Sequence, residues 1–225
     1  MRRCIVQSRR TIPVLAALLV LCGGVGAATP ARGDVAACQP GDPRAELFTT
    51  DNTDPHVSQV QDGLQLFEIQ ADVTIALNGP AVTGSTLVDG VFWSNELQQA
   101  SYQRSREFHL CGADEPTLHT AAEALRRQFN QESVLSFDYL PQNAPEQNAI
   151  IIAVPDVDIA RFGDALVADS AARERLQGGS VTTTDHTLLL VAGNCDLDVA
   201  RRLVSKAGGS WNAATVAYGK REFVD

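Results

Sequence analysis

The sequence predicts an α+β protein, a ferredoxin-like α/β sandwich with helices on one face of a mainly antiparallel sheet. Three observations carry that expectation. From Arg106 onward, apolar strands and amphipathic helices alternate in the order β-α-β-β-α-β, with a further α-β unit appended. Two of the helical stretches stop at "GGS", at 178–180 and 208–210, where glycine takes the left-handed cap conformation cheaply. The 198 residues after position 27 of the 225 are enough for one domain with a sizeable core.

Residues 1–27 read as a signal peptide. "MRRCIVQSRR" holds four arginines and no acid, an apolar run follows from Val14 to Cys22, and small residues lead to cleavage between Ala27 and Ala28. The run of nine is about half of the ~20 residues that a spanning helix needs. "SRRTIPV" has the outline of a twin-arginine signal broken by Pro13, so the export route stays open. Residues 28–60, rich in Ala, Pro, Gly and Asp, are expected to be an irregular N-terminal segment. Cys38 ends "VAAC", which has the look of a lipidation box. It lies 16 residues past the apolar run, so a lipid anchor there is the lesser expectation.

Residues 61–105 are expected to form a β-hairpin extension. "LQLFEIQADVTIAL" alternates in part, "NGPAVTGS" is a turn cluster and "TLVDGVFWSNEL" is a second strand. The sandwich domain is placed at 106–225. "REFHLC" opens it as a strand, and Asp114 and Pro116 start a helix that buries Leu118, Ala122, Leu125 and Phe129. Gln131, Glu132 and Ser133 then read as a structural seam between that helix and "SVLSFDYL". "AIIIAV", "VTTTDHTLLLVAG" and "TVAYGKREFV" are the later strands. "PDVDIAR" and "CDLDVAR", 40 residues apart, begin the later helices. They are either a duplicated unit or the same capping physics used twice.

Charge narrows the partners. Removing residues 1–27 takes four of the 18 basic residues and none of the 27 acidic ones, leaving 14 against 27, a net charge of −13. Such a surface repels phosphate backbones and anionic lipid, which excludes nucleic acid. No segment of the mature chain is apolar enough to span a membrane.

Candidate chemistry gathers near residue 110. His109 and Cys111 are two apart on a strand and face the same way, and Glu115 and His119 share a helix face. A thiolate beside an imidazole is a nucleophile, so His109, Cys111 and His119 are the catalytic candidates. His109, Glu115 and His119 are the metal candidates, with zinc as the ion. Cys38, Cys111 and Cys195 remain after export into an oxidising compartment. Cys111 and Cys195 sit at matching strand ends before a helix, so a Cys111–Cys195 disulfide is expected. Asp185–His186 reads as a solvated pair, and Trp93 and Trp211 as packing residues. No nucleophile elbow, zinc-protease, P-loop, dinucleotide or paired-cysteine motif occurs.

The expected function is therefore an exported, non-catalytic binding or structural module of the bacterial cell envelope or extracellular space, with no cofactor. Its expected partner is a protein, an envelope component or a second copy of itself. The alternative is a small secreted hydrolase or transferase using the His/Cys cluster.

Overall fold

The computed structural model describes residues 38, 39, 41–50 and 61–225. The chain runs β1 (Arg44–Thr50), α1 (Gln61–Leu77), β2 (Ala81–Ser94), β3 (Gln99–Cys111), α2 (Glu115–Gln128) and β4 (Val134–Tyr139). The same order then returns as β5 (Ala149–Val154), α3 (Ile159–Val167) with α4 (Ser170–Arg175), β6 (Gly178–Thr182), β7 (Leu188–Gly193) and α5 (Leu197–Lys206). A 3-10 turn (Trp211–Ala213) leads into β8 (Thr215–Val224). The signal peptide and its Ala27–Ala28 cleavage point lie outside the described residues.

Each half is thus a β-α-β-β-α-β unit. The first half orders its strands β4–β1–β3–β2 and the second β8–β5–β7–β6. β2 pairs with β6 and β4 with β8, so the two sheets close into one eight-stranded antiparallel barrel. Closure removes the exposed edges that an open sheet would leave.

This overturns the open ferredoxin-like sandwich expected at 106–225. The repeating unit does not begin at Arg106, which lies on the third strand of the first half. Two upstream elements differ from the expectation. Residues 44–50, expected to be irregular, are strand β1, and residues 64–77, expected as strand, lie in helix α1. Among the described side chains of α1 the buried ones are Phe67, Ala71 and Ile75, spaced four apart as on one helix face.

Alternation along the strands sorts the side chains into three clusters. Ala45, Leu47, Phe108 and Leu110 face outward onto α1 and α2, where they meet Ile75, Leu118 and Leu125. Ile150, Ile152, Leu188 and Leu190 face outward onto α3 and α5, against Phe162, Leu166 and Leu203. Each such buried side chain stabilises the fold by roughly 1.5–3 kcal/mol. A smaller cluster of Phe137, Ala149 and Ile151, flanked by Phe48, Tyr139 and Val191, fills part of the barrel interior.

The capping expectations divide. Asp114 accepts a hydrogen bond from the Thr117 amide at 3.0 Å and starts α2, as its sequence implies. Asp158 caps α3 in the same way through the Arg161 amide, whereas Asp196, before α5, makes no side-chain cap. The 40-residue echo aligns Asp158 with Asp198, inside the first turn of α5, so the two helix starts are out of step. The repeat the structure shows runs between the halves instead.

Gln131 is a seam. Its side-chain amide donates to the Thr49 hydroxyl at 2.5 Å and to the Thr50 carbonyl at 2.9 Å, and its carbonyl accepts from the Thr50 amide at 3.2 Å. Asp185 accepts from the Thr182 hydroxyl and helps close the turn between β6 and β7. Trp93 and Trp211 pack at the margin of the second-half core, each beneath an arginine, Arg173 and Arg201. Among the described residues no helix is long and apolar enough to cross a membrane.

Candidate functional site

The register of β1 on β3 sets Glu46 opposite His109 and Phe48 opposite Glu107. These four positions have the opposite parity to the helix-facing residues, so their side chains turn into the barrel. His109 Nδ1 lies 2.7 Å from a Glu46 carboxylate oxygen, and its Nε2 lies 3.1 Å from the Thr86 hydroxyl on β2. One donor atom from each of Glu46, Glu107 and His109 falls within 4.8 Å of the other two. Glu46 and Glu107 are 3% and 5% exposed. The His109 side chain, 37% exposed, borders a cavity of about 410 Å³ that Arg44, Asp42 and Thr83 also line.

The electrostatics follow from that burial. Burial first, and the neighbouring Glu46 charge second, hold Glu107 up at about 7, while His109 opposes them. The hydrogen bond to Glu46 raises the His109 imidazole against the opposing effect of burial, and Arg44 works to lower it. Burial also pushes the Tyr139 phenol up, helped by the charges of Glu46 and Glu107 and by a hydrogen bond to Glu46. Glu46 therefore has partners. Among the described residues no hydrogen bond reaches the Glu107 carboxyl group. A buried carboxyl without a hydrogen-bonding partner is a costly feature of a fold.

A disulfide borders the cavity beside the cluster. Cys111 bridges to Cys38 with their Cα atoms 5.6 Å apart, and the Gly112 amide donates to the Pro43 carbonyl at 2.9 Å. Cys38 and Pro43 are thereby fastened to the end of β3. The expected Cys111–Cys195 pairing is not the one formed. Cys195 follows β7, and β2 and β6 stand between β3 and β7 around the wall. That separation exceeds the ~4.4–6.8 Å between Cα atoms that a disulfide tolerates. Cys38, bonded through sulfur to Cys111, has no thiol for a lipid thioether.

The sequence candidates do not assemble as expected. Cys111 is oxidised, so the His109–Cys111–His119 nucleophile is not available. His119 and Glu115 are exposed on α2, where Glu115 pairs with Lys220, while His109 turns into the barrel on the other side of the sheet. The His109–Glu115–His119 metal set does not converge either. His109 instead meets Glu46 and Glu107, which the sequence reading passed over. Glu107 had a usable signal, because it precedes His109 by two on the same strand and shares its face. Glu46 had none, because its strand was read as irregular.

The two halves of the barrel can be compared position by position. Cys111 ends β3 and Gly193 ends β7, each four residues before the next helix. With those ends aligned, the strand registers place Glu46, Glu107 and His109 on Ile151, Leu189 and Val191. The same lumen positions are thus polar in one half and aliphatic in the other.

No protein-family model matches the chain, and no curated protein matches it. Among solved structures, one described as a "putative monooxygenase" from Lactobacillus acidophilus NCFM is similar over 81% of this chain and 95% of its own. The identity is 11% and the TM-score 0.26, a score too low to carry an argument about fold or activity.

Proposed function

We propose that this protein is an exported, non-catalytic binding module that takes a small cationic ligand at the mouth of its barrel. One observation carries the reading: Glu46, Glu107 and His109 stand where the other half has Ile151, Leu189 and Val191. The architecture works with aliphatic side chains at these positions, so it does not require two buried carboxyl groups there. Burying them is unfavourable unless something positive offsets them. His109 offsets Glu46, and Glu107 is left for the ligand.

Other features agree. The chain beyond residue 27 carries −13, which raises the local concentration of cations around the molecule. The disulfide suits an oxidising compartment. The hydrolase or transferase alternative depended on a Cys111 thiol, which the bond to Cys38 consumes.

The test uses the exported protein after treatment with a chelator. Thermal unfolding is followed with methylammonium, zinc ion, acetate and phosphate as probes. A companion variant, Glu46→Ile with Glu107→Leu and His109→Val, copies the chain's own second half into the first. At least one of the two cations should raise Tm of the parent, the anions should not, and the variant should fold without responding. A parent whose Tm moves with neither cation sinks the reading.

A further inference from the structure

We propose that Glu46, Glu107 and His109 bind one divalent first-row transition-metal ion, for which zinc is the test ion. The proposal rests on the cation-binding reading above and narrows it. Three observations separate a metal from an organic cation.

The first is the donor set. An imidazole nitrogen and two carboxylate oxygens approach within 4.8 Å of one another from two adjacent, hydrogen-bonded strands. Two carboxylates and a neutral imidazole supply two negative charges, the number that a divalent ion neutralises. The imidazole favours zinc and its neighbours over magnesium or calcium, which prefer an all-oxygen set. Glu46 and His109 border the cavity, which leaves room beside them for water or a further group.

The second is the support around the ligands. Metal-bound histidines are usually oriented through their other ring nitrogen. Here Nδ1 faces Glu46, while Nε2 lies 3.1 Å from the Thr86 hydroxyl. The Tyr139 phenol stands close enough to Glu46 to feel its charge. The Cys38–Cys111 bond anchors β3 two residues beyond His109. Arg44 at the cavity opposes a cation, so the three ligands must outweigh its charge.

The third is Glu107. It is 95% buried by the complement of its 5% exposure, lies within the cluster, and has no hydrogen-bond partner among the described residues. Its oxygens are available to a ligand already surrounded by the other two donors.

The experiment titrates zinc, and separately methylammonium, into the chelator-treated exported protein by calorimetry. Elemental analysis gives the stoichiometry. The expected result is one zinc per chain. Glu107→Leu and His109→Val should each weaken zinc by about 100-fold or more, with an unchanged circular dichroism spectrum and an intact disulfide. Thr86→Val should weaken zinc by about 10- to 100-fold. Binding of methylammonium without zinc overturns the metal proposal and leaves the cation reading standing. Binding of neither overturns both. Zinc bound equally well by the parent and by Glu107→Leu places the metal elsewhere and also overturns the proposal.

Discussion

Glu46 on β1 and Ile151 on β5 occupy the same place in the two halves of the barrel. Each faces the third strand of its own half, Glu46 opposite His109 and Ile151 opposite Val191. A carboxylate and an isoleucine thus fill one structural position. That equivalence separates what the architecture needs, an inward side chain of moderate size, from what only the first half adds, which is charge.

Glu107→Leu should therefore stabilise the metal-free protein above neutral pH. Burial lifts Glu107 from 4.5 to about 7 in the folded chain. A group raised in this way gives its full contribution below its unfolded value and loses it as the pH climbs through its folded value. The difference corresponds to about 3 kcal/mol between pH 4.5 and pH 7. His109, also raised, acts in the same direction. Urea unfolding in chelator at pH 5 and pH 8.5 reads the effect. The parent should be less stable at pH 8.5, and the variant should remove most of that loss. A variant less stable than the parent at pH 8.5 contradicts the expectation.

Breaking the Cys38–Cys111 bond should cost stability through the unfolded chain. It closes a loop with a sequence separation of 73, for which loop entropy predicts roughly 4 kcal/mol, within a usual range of about 2–5. Cys38→Ser should lower Tm clearly and should leave His109 less firmly placed beside Glu46. A non-reducing peptide map should contain the Cys38–Cys111 link. Recovery of a Cys111–Cys195 peptide in its place would reject this pairing.

The parts of the fold legible in the sequence are those with local causes. α2 declared itself through Asp114, Pro116 and the spacing of Leu118, Ala122 and Leu125. α1 did not, because it carries aliphatic residues on both sides. Leu66, Ile69, Val73 and Leu77 are exposed while Phe67, Ala71 and Ile75 are buried, which blurs a helical period into apparent alternation. β1 is seven residues long and ends at Thr50, before a stretch outside the described residues. Barrel closure had no local cause at all. It depends on β2 meeting β6 and β4 meeting β8, pairings between segments roughly 80–95 residues apart. The acidic cluster inherits that blindness. His109 was visible as a candidate, but its partners depend on which strand lies beside β3, and that strand had gone unread.

Asp169 should matter most for acid stability. Its side chain is 6% exposed, it binds Arg202 and Lys206, each at 2.9 Å, and it caps α4 through the Ala172 amide at 3.1 Å. The hydrogen bond from Arg202, more than any other contact, holds its carboxyl well below the ordinary range of 3.8. Stability from a lowered group is present above its unfolded value and is lost as the pH falls toward its folded one. Erosion should therefore begin below about pH 4. Both cations are nearly half exposed, so solvent screens much of the charge attraction, and the cap contributes the steadier share. Asp169→Ala should cost about 1–3 kcal/mol at pH 7. A loss under 0.5 kcal/mol, on the order of a surface change, would show that the cluster is not structural.

Gln131→Leu should destabilise the fold without touching ligand binding. Gln131 is 7% exposed and ties the end of β1 through Thr49 and Thr50. A leucine keeps the volume but orphans the Thr50 amide and carbonyl and the Thr49 hydroxyl. Buried polar groups left without partners cost about 1–3 kcal/mol. Chemical denaturation should report that loss with an unchanged m-value, because the surface exposed on unfolding is the same. Zinc or methylammonium affinity of the folded variant should stay within about twofold of the parent. Glu46 lies three residues from Thr49 on the opposite face of β1, and β3 and β4 pair with β1 along the stretch containing Glu46. A tenfold fall in affinity with little change in stability would move Gln131 from seam to site.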